Sequence, residues 1–336
     1  MFNKNFKNLF GFLAVASLIF TSFFTSDVNA GSHEKKKKES FAAKCNPMEV
    51  VIHAAYGGGT DQTARMMSIR ARKEFNTDIQ VVGKRGGSGS KAQNYVKSKP
   101  ADGCTIMALT ESHLYTMARG KSDMKISDIT GIVRAMEEPT FIVINAQNTK
   151  IDTVKKMISE SKKKPITTGI ASIGGTEHIG MYQWSKASGT AFKPVSFGSG
   201  AQSLQALASG KIDVALLNPS EAAGLIADKK VKAVVLLAPK RLKDYPDVPS
   251  SFELGYKVNV ATTRGYAVLA STPDAIKKEL SAKLLKGMKH EIFASYLKGS
   301  SLDPETSPAG MDVWEPQLKA NYKEAAAALK ELGLLK

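Results

Sequence analysis

Three glycine-rich loops, each between a short apolar stretch and a helical pattern, are the parts of this sequence best suited to chemistry. The first turn of a helix offers unpaired N–H donors and a partial positive charge, and glycine lets a ligand approach that backbone closely. Two such helix ends facing each other would hold both ends of a dicarboxylate without an arginine. Glycine before a helix is also ordinary turn chemistry, and Asp61 can simply cap its own helix. The loops are Tyr56-Gly57-Gly58-Gly59-Thr60-Asp61, Ser172-Ile173-Gly174-Gly175-Thr176 and Ser196-Phe197-Gly198-Ser199-Gly200.

Motifs for catalysis, cofactors and metals have little support in the chain. Neither G-x-x-x-x-G-K-[ST] nor G-x-G-x-x-G occurs, and the five histidines are scattered without metal-ligand spacing. Ser88 and Lys91 match S-x-x-K, but so do Ser122 with Lys125 and Ser161 with Lys164, as expected by chance in a lysine-rich chain. We therefore expect no catalytic residue, no cofactor and no metal, and a secreted hydrolase or transferase using Ser88 and Lys91 is the alternative.

From residue 48 onward, short apolar strands alternate with amphipathic helical patterns, which predicts an α/β fold with parallel sheets and crossover helices. In such folds ligands bind beyond the carboxyl ends of the strands, where the three loops lie. The predicted strands cover 48–54, 79–82, 105–109, 141–144, 166–169, 193–197, 214–217, 232–237 and 265–269, and the predicted helices cover 60–75, 91–97, 153–163, 177–188, 201–209, 219–227, 273–289, 291–297 and 311–332.

The N-terminus has the pattern of an export signal. A basic start at Lys4 and Lys7 precedes the apolar run 9–24 and the small-residue sequence Val28-Asn29-Ala30. We expect a signal peptide over residues 1–30, cleaved near Ala30, then a polar linker over 31–45 and a periplasmic location; an uncleaved anchor is the alternative. The net charge of +16 would permit nucleic-acid binding. Export and the lack of a basic patch interleaved with aromatic residues argue against it.

The two cysteines, Cys45 and Cys104, would lie in an oxidising compartment after export. Cys45 just precedes the first strand and Cys104 just precedes the third. In a flavodoxin-like strand order these two strands are parallel neighbours, so both cysteines lie at the same end of the sheet, opposite the loops. Adjacent strands are about 5 Å apart, within the range for a disulfide. We expect a structural disulfide, with two buried free thiols as the alternative.

Several motifs, taken in order, resemble the tripartite tricarboxylate transporter substrate-binding family, also called Bug-type receptors. The resemblance runs from about residue 48 to the C-terminus. It rests on Ala55-Tyr56-Gly57-Gly58-Gly59-Thr60-Asp61 with Ala64-Arg65, on Val81-Val82-Gly83-Lys84-Arg85-Gly86-Gly87-Ser88-Gly89, on Pro100-Ala101-Asp102-Gly103-Cys104-Thr105, on Gly210-Lys211-Ile212-Asp213, and on Arg241 followed by Tyr245-Pro246-Asp247-Val248-Pro249.

The resemblance implies a monomeric periplasmic receptor with two doubly wound lobes and a central ligand cleft. It would close on a di- or tricarboxylate, or a related organic acid, and deliver it to integral-membrane transporter subunits. The expected lobes are 46–138 with 265–336, and 139–264, joined by crossovers near residues 138 and 264. A ligand sensor for a signalling receptor is the alternative with the same fold.

The family's ligand contacts, carried over by position, imply a set of binding residues from both lobes. Arg85 stands where the family has an uncharged residue, so we expect it to attract an anion over distance. Glu111 and His113 flank Ser112 and could select a cationic or zwitterionic ligand. The implied ligand-binding residues are Tyr56, Gly57, Gly58, Gly59, Thr60, Asp61, Arg85, Ser88, Thr110, Ser112, Ser172, Gly174, Thr176, His178, Gly198, Ser199 and Asn218.

Overall fold

A nine-stranded sheet runs through residues 40–335, the part of the chain that the computed structural model describes. Its strand order is β2-β1-β3-β9-β4-β7-β5-β6, and β8 pairs with the edge of β4 opposite β7. The expected signal peptide and most of the expected linker lie outside these residues. The strands are β1 (Met48–Ile52), β2 (Ile79–Gly83), β3 (Thr105–Leu109), β4 (Ile129–Asn145), β5 (Ile166–Ile170), β6 (Phe192–Ser196), β7 (Val214–Leu217), β8 (Val231–Leu237) and β9 (Ala261–Leu269).

Helices follow most strands, as the alternating sequence pattern predicts. α3 is the one α-helix of the described chain that the pattern did not predict. The helices are α1 (Gly59–Phe75), α2 (Ser90–Lys97), α3 (Glu111–Ala118), α4 (Val154–Ser161), α5 (Thr176–Ser188), α6 (Gly200–Ala208), α7 (Pro219–Ala227), α8 (Asp274–Met288), α9 (Glu291–Gly299) and α10 (Met311–Glu331).

The sheet is mixed, whereas the sequence pattern predicted parallel pairing. β1 pairs in parallel with β2 and β3, and β5 pairs in parallel with β6 and β7. β9 is antiparallel to β3 and β4, and β4 is antiparallel to β7 and β8. The difference arises because β4 and β9 are long strands that run from one group of parallel strands to the other. Both pair with antiparallel neighbours, and antiparallel pairing does not require a crossover helix.

Buried apolar side chains form clusters on either side of the sheet, and these clusters divide the described chain into two halves. We call β1–β3, β9, α1–α3, α8–α10 and the first part of β4 the first half; its clusters include Met48, Ile106, Leu284 and Trp314. We call β5–β8, α4–α7 and the rest of β4 the second half; its clusters include Trp184, Leu216 and Leu207. The C-terminal helices thus pack against the core of the first half.

Cys45 and Cys104 form a disulfide, with their Cα atoms 5.4 Å apart. They are neighbours because β1 pairs with both β2 and β3, and the backbone N–H of Glu49 donates to the carbonyl of Cys104 (2.8 Å). Residues 41–44, expected to be linker, form a 3₁₀ helix in which Ala42 is fully buried. The start of the described chain is therefore fastened to the end of the sheet opposite the glycine-rich loops.

Among residues 40–335, none of the helices is both long and apolar enough to cross a membrane.

Candidate functional site

A small inner cavity, of about 30 Å³, lies where the loops of the two halves meet. A volume of that size holds one or two water molecules. Backbone and hydroxyl groups make up most of its wall, together with four ionisable side chains. The lining residues are His53, Ala54, Gly58, Gly59, Thr60, Thr110, Ser112, Thr262 and Arg264 from the first half, and Ala171, Thr176, Glu177, Ser199, Gly200 and Glu221 from the second.

A larger outer pocket, of about 520 Å³, adjoins the inner cavity and shares His53, Ala54 and Ala171 with it. Its wall includes the glycine-rich segment 86–89 and the exposed Arg85 of the first half, and Ser172 and Gly198 of the second. Any ligand larger than two water molecules has to widen the inner cavity or extend into this outer pocket. The two spaces together form one cleft.

Hydrogen bonds between the halves hold the cleft closed. The hydroxyls of Ser112 and Thr176 are 3.1 Å apart, and the backbone N–H of Thr176 donates to the Ser112 hydroxyl (3.1 Å). The hydroxyl of Ser88 donates to the carbonyl of Ile173 (2.6 Å). Gly58 lies so close to Ser199 that a Cβ on Gly58 would be 2.9 Å from the Cβ of Ser199. The first and second glycine-rich loops therefore meet partners across the cleft.

Arg264, only 4% exposed, is the buried cation of the inner cavity. Its Nη1 forms an ion pair with Glu138, which is fully buried, and its Nη2 donates to the amide oxygen of Asn218 (3.0 Å). Its Nε has no protein partner. A buried donor without a partner costs free energy, so this atom is suited to a ligand or a water molecule.

The carboxylate of Glu221 occupies the ends of three helices. Its Oε1 accepts the backbone N–H of Gly59 at the start of α1 (3.1 Å), and its Oε2 accepts the N–H of Asn218 before α7 (3.2 Å). It also lies against Gly200, the first residue of α6, where a Cβ would collide with the carboxylate. Two of the three helix ends that we expected to hold a ligand carboxylate, those of α1 and α6, are therefore occupied by a carboxylate of the protein itself.

Glu177, in the first turn of α5, is the second carboxyl group of the cavity wall. Its Oε2 is buried and has no hydrogen-bond partner. Burial, and after it the negative charge of Glu221, raises the pKa of Glu177 to about 7, against the opposing effect of the Arg264 cation. Glu177 can thus accept from a cationic donor or, when protonated, donate.

The two histidines beside the cavity are neutral over the physiological range. His53 lies against His113 with ring centroids 4.2 Å apart. Burial, and to a lesser extent the Arg264 cation, lowers the pKa of His53 to about 4, and burial lowers the pKa of His113 well below its usual value. Nδ1 of His113 accepts the backbone N–H of Thr110 (3.2 Å), so His113 supports that loop from behind.

The structure brings most of the residues implied by the family resemblance to the cleft. In the inner cavity lie Gly58, Gly59, Thr60, Thr110, Ser112, Thr176 and Ser199, and in the outer pocket lie Arg85, Ser88, Ser172 and Gly198. Six others line neither space: Tyr56, Gly57, Asp61, Gly174, His178 and Asn218.

Three of those six, Asp61, His178 and Asn218, hold loops or ligand-facing residues in place. Asp61 accepts the backbone N–H of Gly57 (2.8 Å) and Nε of Arg65 (2.9 Å). His178 accepts the N–H of Gly174 (2.8 Å) through Nδ1, and Asn218 binds Arg264. Tyr56, by contrast, is 58% exposed and its hydroxyl accepts the N–H of Gly83 (2.9 Å).

Sequence reasoning missed all four ionisable residues of the cavity wall, which are His53, Glu177, Glu221 and Arg264. Glu111 and His113, which it offered for ligand selection, line neither space of the cleft; the carboxylate of Glu111 accepts the backbone N–H of Thr263 (2.8 Å). One available signal was the acidic residue in the first turns of α5, which follows a glycine-rich loop, and α7, which follows an asparagine cap. The second was an arginine inside a strand pattern that is otherwise apolar.

Comparisons with known proteins give one family and one fold. A family model described as the tripartite tricarboxylate transporter family receptor matches residues 63–319. Protein BugT of Bordetella pertussis is 22% identical over 232 residues, which are 67% of this chain and 70% of that protein. The structure of the periplasmic binding protein BugD is 21% identical with a TM-score of 0.80, over 86% of this chain and 98% of that one. MatC from Rhodopseudomonas palustris with bound malate is 22% identical with a TM-score of 0.78, over 84% and 98%. These structural likenesses show the two-lobed fold of periplasmic binding proteins.

Proposed function

Since this chain belongs to the tripartite tricarboxylate transporter receptor family, whose members are substrate-binding receptors rather than enzymes, we propose that it captures a small organic acid in the cleft described above. Closure of the two lobes buries the acid, and the closed receptor delivers it to the membrane subunits of a tripartite transporter. The proposed lobes are 46–138 with 265–336, and 139–264. Their boundaries fall inside β4 and β9, so Arg264 lies at the crossover between the lobes.

The observation that carries this proposal is the composition of the inner cavity. Both halves contribute hydroxyls to it, and Arg264 Nε, the Thr110 hydroxyl and Nδ1 of His53 are buried without protein partners. These three groups lie on the first half, and the hydroxyls of Thr176 and Ser199 lie on the second. A ligand that bonds to both sets does so only when the halves meet, so its affinity is higher for the closed state. That difference in affinity is what makes binding shift the population towards closure.

A carboxylate suits the donors of the cleft. Two solved structures that share this fold hold small carboxylates, malate in MatC and adipate in Rpa4515 of R. palustris. In this chain the donors would be the hydroxyls of Thr60, Thr110, Ser112, Thr176 and Ser199, together with Nε of Arg264. The hydroxyl of Ser88 is already used in its bond to Ile173, so it is not paired with Lys91 as a nucleophile would be.

The remaining parts of the proposal concern the whole protein. We infer export by a signal peptide that is cleaved near Ala30, and function in the periplasm as a monomer. A small anion, and not nucleic acid, is the partner of the basic chain, and neither a cofactor nor a metal takes part.

A thermal-shift screen of mono-, di- and tricarboxylates and amino acids, followed by calorimetry of each compound that raises Tm, tests the receptor function. We expect at least one acid to raise Tm and to be recovered chemically unchanged after incubation. Conversion of the bound compound would favour the hydrolase, and a complete lack of binding across the screen would contradict the receptor function.

A further inference from the structure

The inner cavity carries more negative than positive charge. The Arg264 cation is paired with Glu138, and His53 is neutral because burial lowers its pKa to about 4. The Glu221 and Glu177 carboxyl groups form no ion pair with a lining residue, although the Arg264 cation is close enough to attract both. A ligand that is only an anion would bring further negative charge to these two groups, and like charges repel strongly in a buried site.

The donors and acceptors of the cavity are also arranged in two sets. Donors without a protein partner lie on the first half, at Arg264 Nε and the Thr110 hydroxyl, and the residues that carry them are 4% and 2% exposed. An acceptor without a partner lies on the second half, at Glu177 Oε2, and the Glu221 carboxylate lies on the same side. A buried carboxylate in need of a donor selects an ammonium group over an alkyl group or a second carboxylate.

From this arrangement we infer that the ligand is a zwitterion of the amino-acid type, with its ammonium group held by Glu177 and Glu221 and its carboxylate held by Arg264 and the cavity hydroxyls. This inference rests on the proposed receptor function and narrows its substrate class. It also assigns Glu177 and Glu221 as the residues that determine specificity, in place of Glu111 and His113.

Glu221 can serve in this role without losing its place at the helix ends. One of its oxygens faces Gly59 and the other faces Asn218, and a carboxylate oxygen can accept more than one hydrogen bond. The N-termini of α1, α6 and α7 surround this carboxylate, and their partial positive charges favour negative charge at that point.

The test compares acids in matched pairs that differ only in the amino group. The pairs are L-aspartate with succinate, L-glutamate with glutarate, and L-alanine with propanoate, each titrated into the purified full chain by calorimetry at one pH. A charge-assisted hydrogen bond to a buried carboxylate should make at least one amino acid bind roughly tenfold or more tightly than its partner.

Two variants then show which residues distinguish an amino acid from its deaminated partner. In Glu177→Gln and in Glu221→Gln, the ratio of the amino acid's affinity to that of its deaminated partner should fall by roughly tenfold. Each variant loses one charged acceptor, while the substituted side chain keeps nearly the same shape. Glu111→Gln is the matched control: it removes a carboxylate that is also shielded from solvent but lies outside the cleft, and it should leave the ratio unchanged. If Glu221→Gln does not fold, Glu177→Gln alone carries the test, since the unpartnered Oε2 of Glu177 holds no part of the structure together.

The outcomes separate this inference from the receptor function. Tighter binding of the deaminated acid in every pair that binds would overturn the inference, as would binding of a carboxylate from the wider screen while no amino acid binds. An equal loss of affinity for both members of a pair in the variants would show a structural role and would also overturn it. If no acid of either set binds, the receptor function itself is wrong and this inference is lost with it.

Discussion

At the scale of single residues, Gly58 sets how closely the halves can approach each other. A Cβ at this position would be 2.9 Å from the Cβ of Ser199, a separation that real Cβ atoms do not reach. Gly58→Val should therefore hold the cleft open and abolish ligand binding while the circular dichroism spectrum stays native.

Gly224 provides the control, because a Cβ there, within α7, meets nothing within 4 Å. Gly224→Val should bind ligand with unchanged affinity in the same calorimetric assay. Wild-type affinity in a folded Gly58→Val protein would show that the contact with Ser199 is not needed for binding.

Glu111 makes the stability of the protein depend on pH. Burial raises its pKa to about 7 from an unfolded value near 4.5, against the opposing hydrogen bond from Thr263. A group whose folded pKa is raised stabilises the fold fully below its unfolded pKa and loses that contribution as the pH rises through the folded pKa. Between pH 4.5 and 8 the wild type should thus lose up to about 3 kcal/mol of unfolding free energy relative to Glu111→Gln.

Urea denaturation at several pH values measures this difference. Glu305→Gln, at an exposed position, should follow the wild-type curve. Parallel curves for wild type and Glu111→Gln would mean that Glu111 titrates normally in the folded protein.

Single residues of the site were predictable where a local pattern marks them and not where a distant partner defines them. Gly58, Gly59 and Ser199 lie in loops that glycine and the following helix identify. Glu138 and Arg264 are 126 positions apart, and nothing in the sequence near either one shows that they form an ion pair. Glu221 has the pattern of an ordinary acidic residue in a first helical turn. Its place against α1 and α6 follows from the tertiary fold alone.

At the scale of elements, the disulfide fastens β3 to the segment before β1. It closes a loop of 59 residues. In the chain-entropy model a loop of that length stabilises the fold by roughly 4 kcal/mol, and measured values are often smaller. The double variant Cys45→Ala with Cys104→Ala should therefore lower the unfolding free energy by up to about 4 kcal/mol. A reductant should have the same effect on the wild type.

Alkylation of the protein purified without reductant, followed by mass spectrometry, shows the state of the two cysteines directly. We expect neither thiol to be modified before reduction. Two alkylated thiols in the native material would contradict the disulfide, and a reductant would then leave the denaturation curve unchanged.

Helices and strands were predictable where a single hydrophobic periodicity runs through a stretch of the sequence. β3, β7 and α7 have the predicted bounds, since each is a short apolar run or a capped helix. β4 was predicted only over 141–144, although it spans 17 residues. Glu137, Glu138 and Pro139 interrupt its apolar pattern, and the strand continues through them because β9 pairs with it from Ile129 to Pro139.

At the scale of the whole molecule, β4 and β9 are the strands by which the chain passes between the halves. Apart from them, the halves meet across the cleft through side chains and loops such as Ser112 with Thr176 and Ser88 with Ile173. We expect ligand to shift the protein from an open to a closed form, because only the closed form lets both halves contact it.

Small-angle X-ray scattering with and without saturating ligand measures this change. The radius of gyration should fall on binding in the wild type and stay constant in Gly58→Val. An unchanged radius of gyration in the wild type, together with full binding, would show that the cleft is closed before ligand arrives.

The contacts that close the cleft in this structure are made by the protein's own groups, and the bond from Gly59 to Glu221 is one of them. If the proposed receptor also closed through these contacts without cargo, it would present to the membrane subunits the same outer faces as a loaded receptor. Unloaded and loaded receptors would then compete for one docking position, so receptor in large excess over its cargo would slow uptake. The rate of transport would pass through a maximum as the amount of receptor in the periplasm rises.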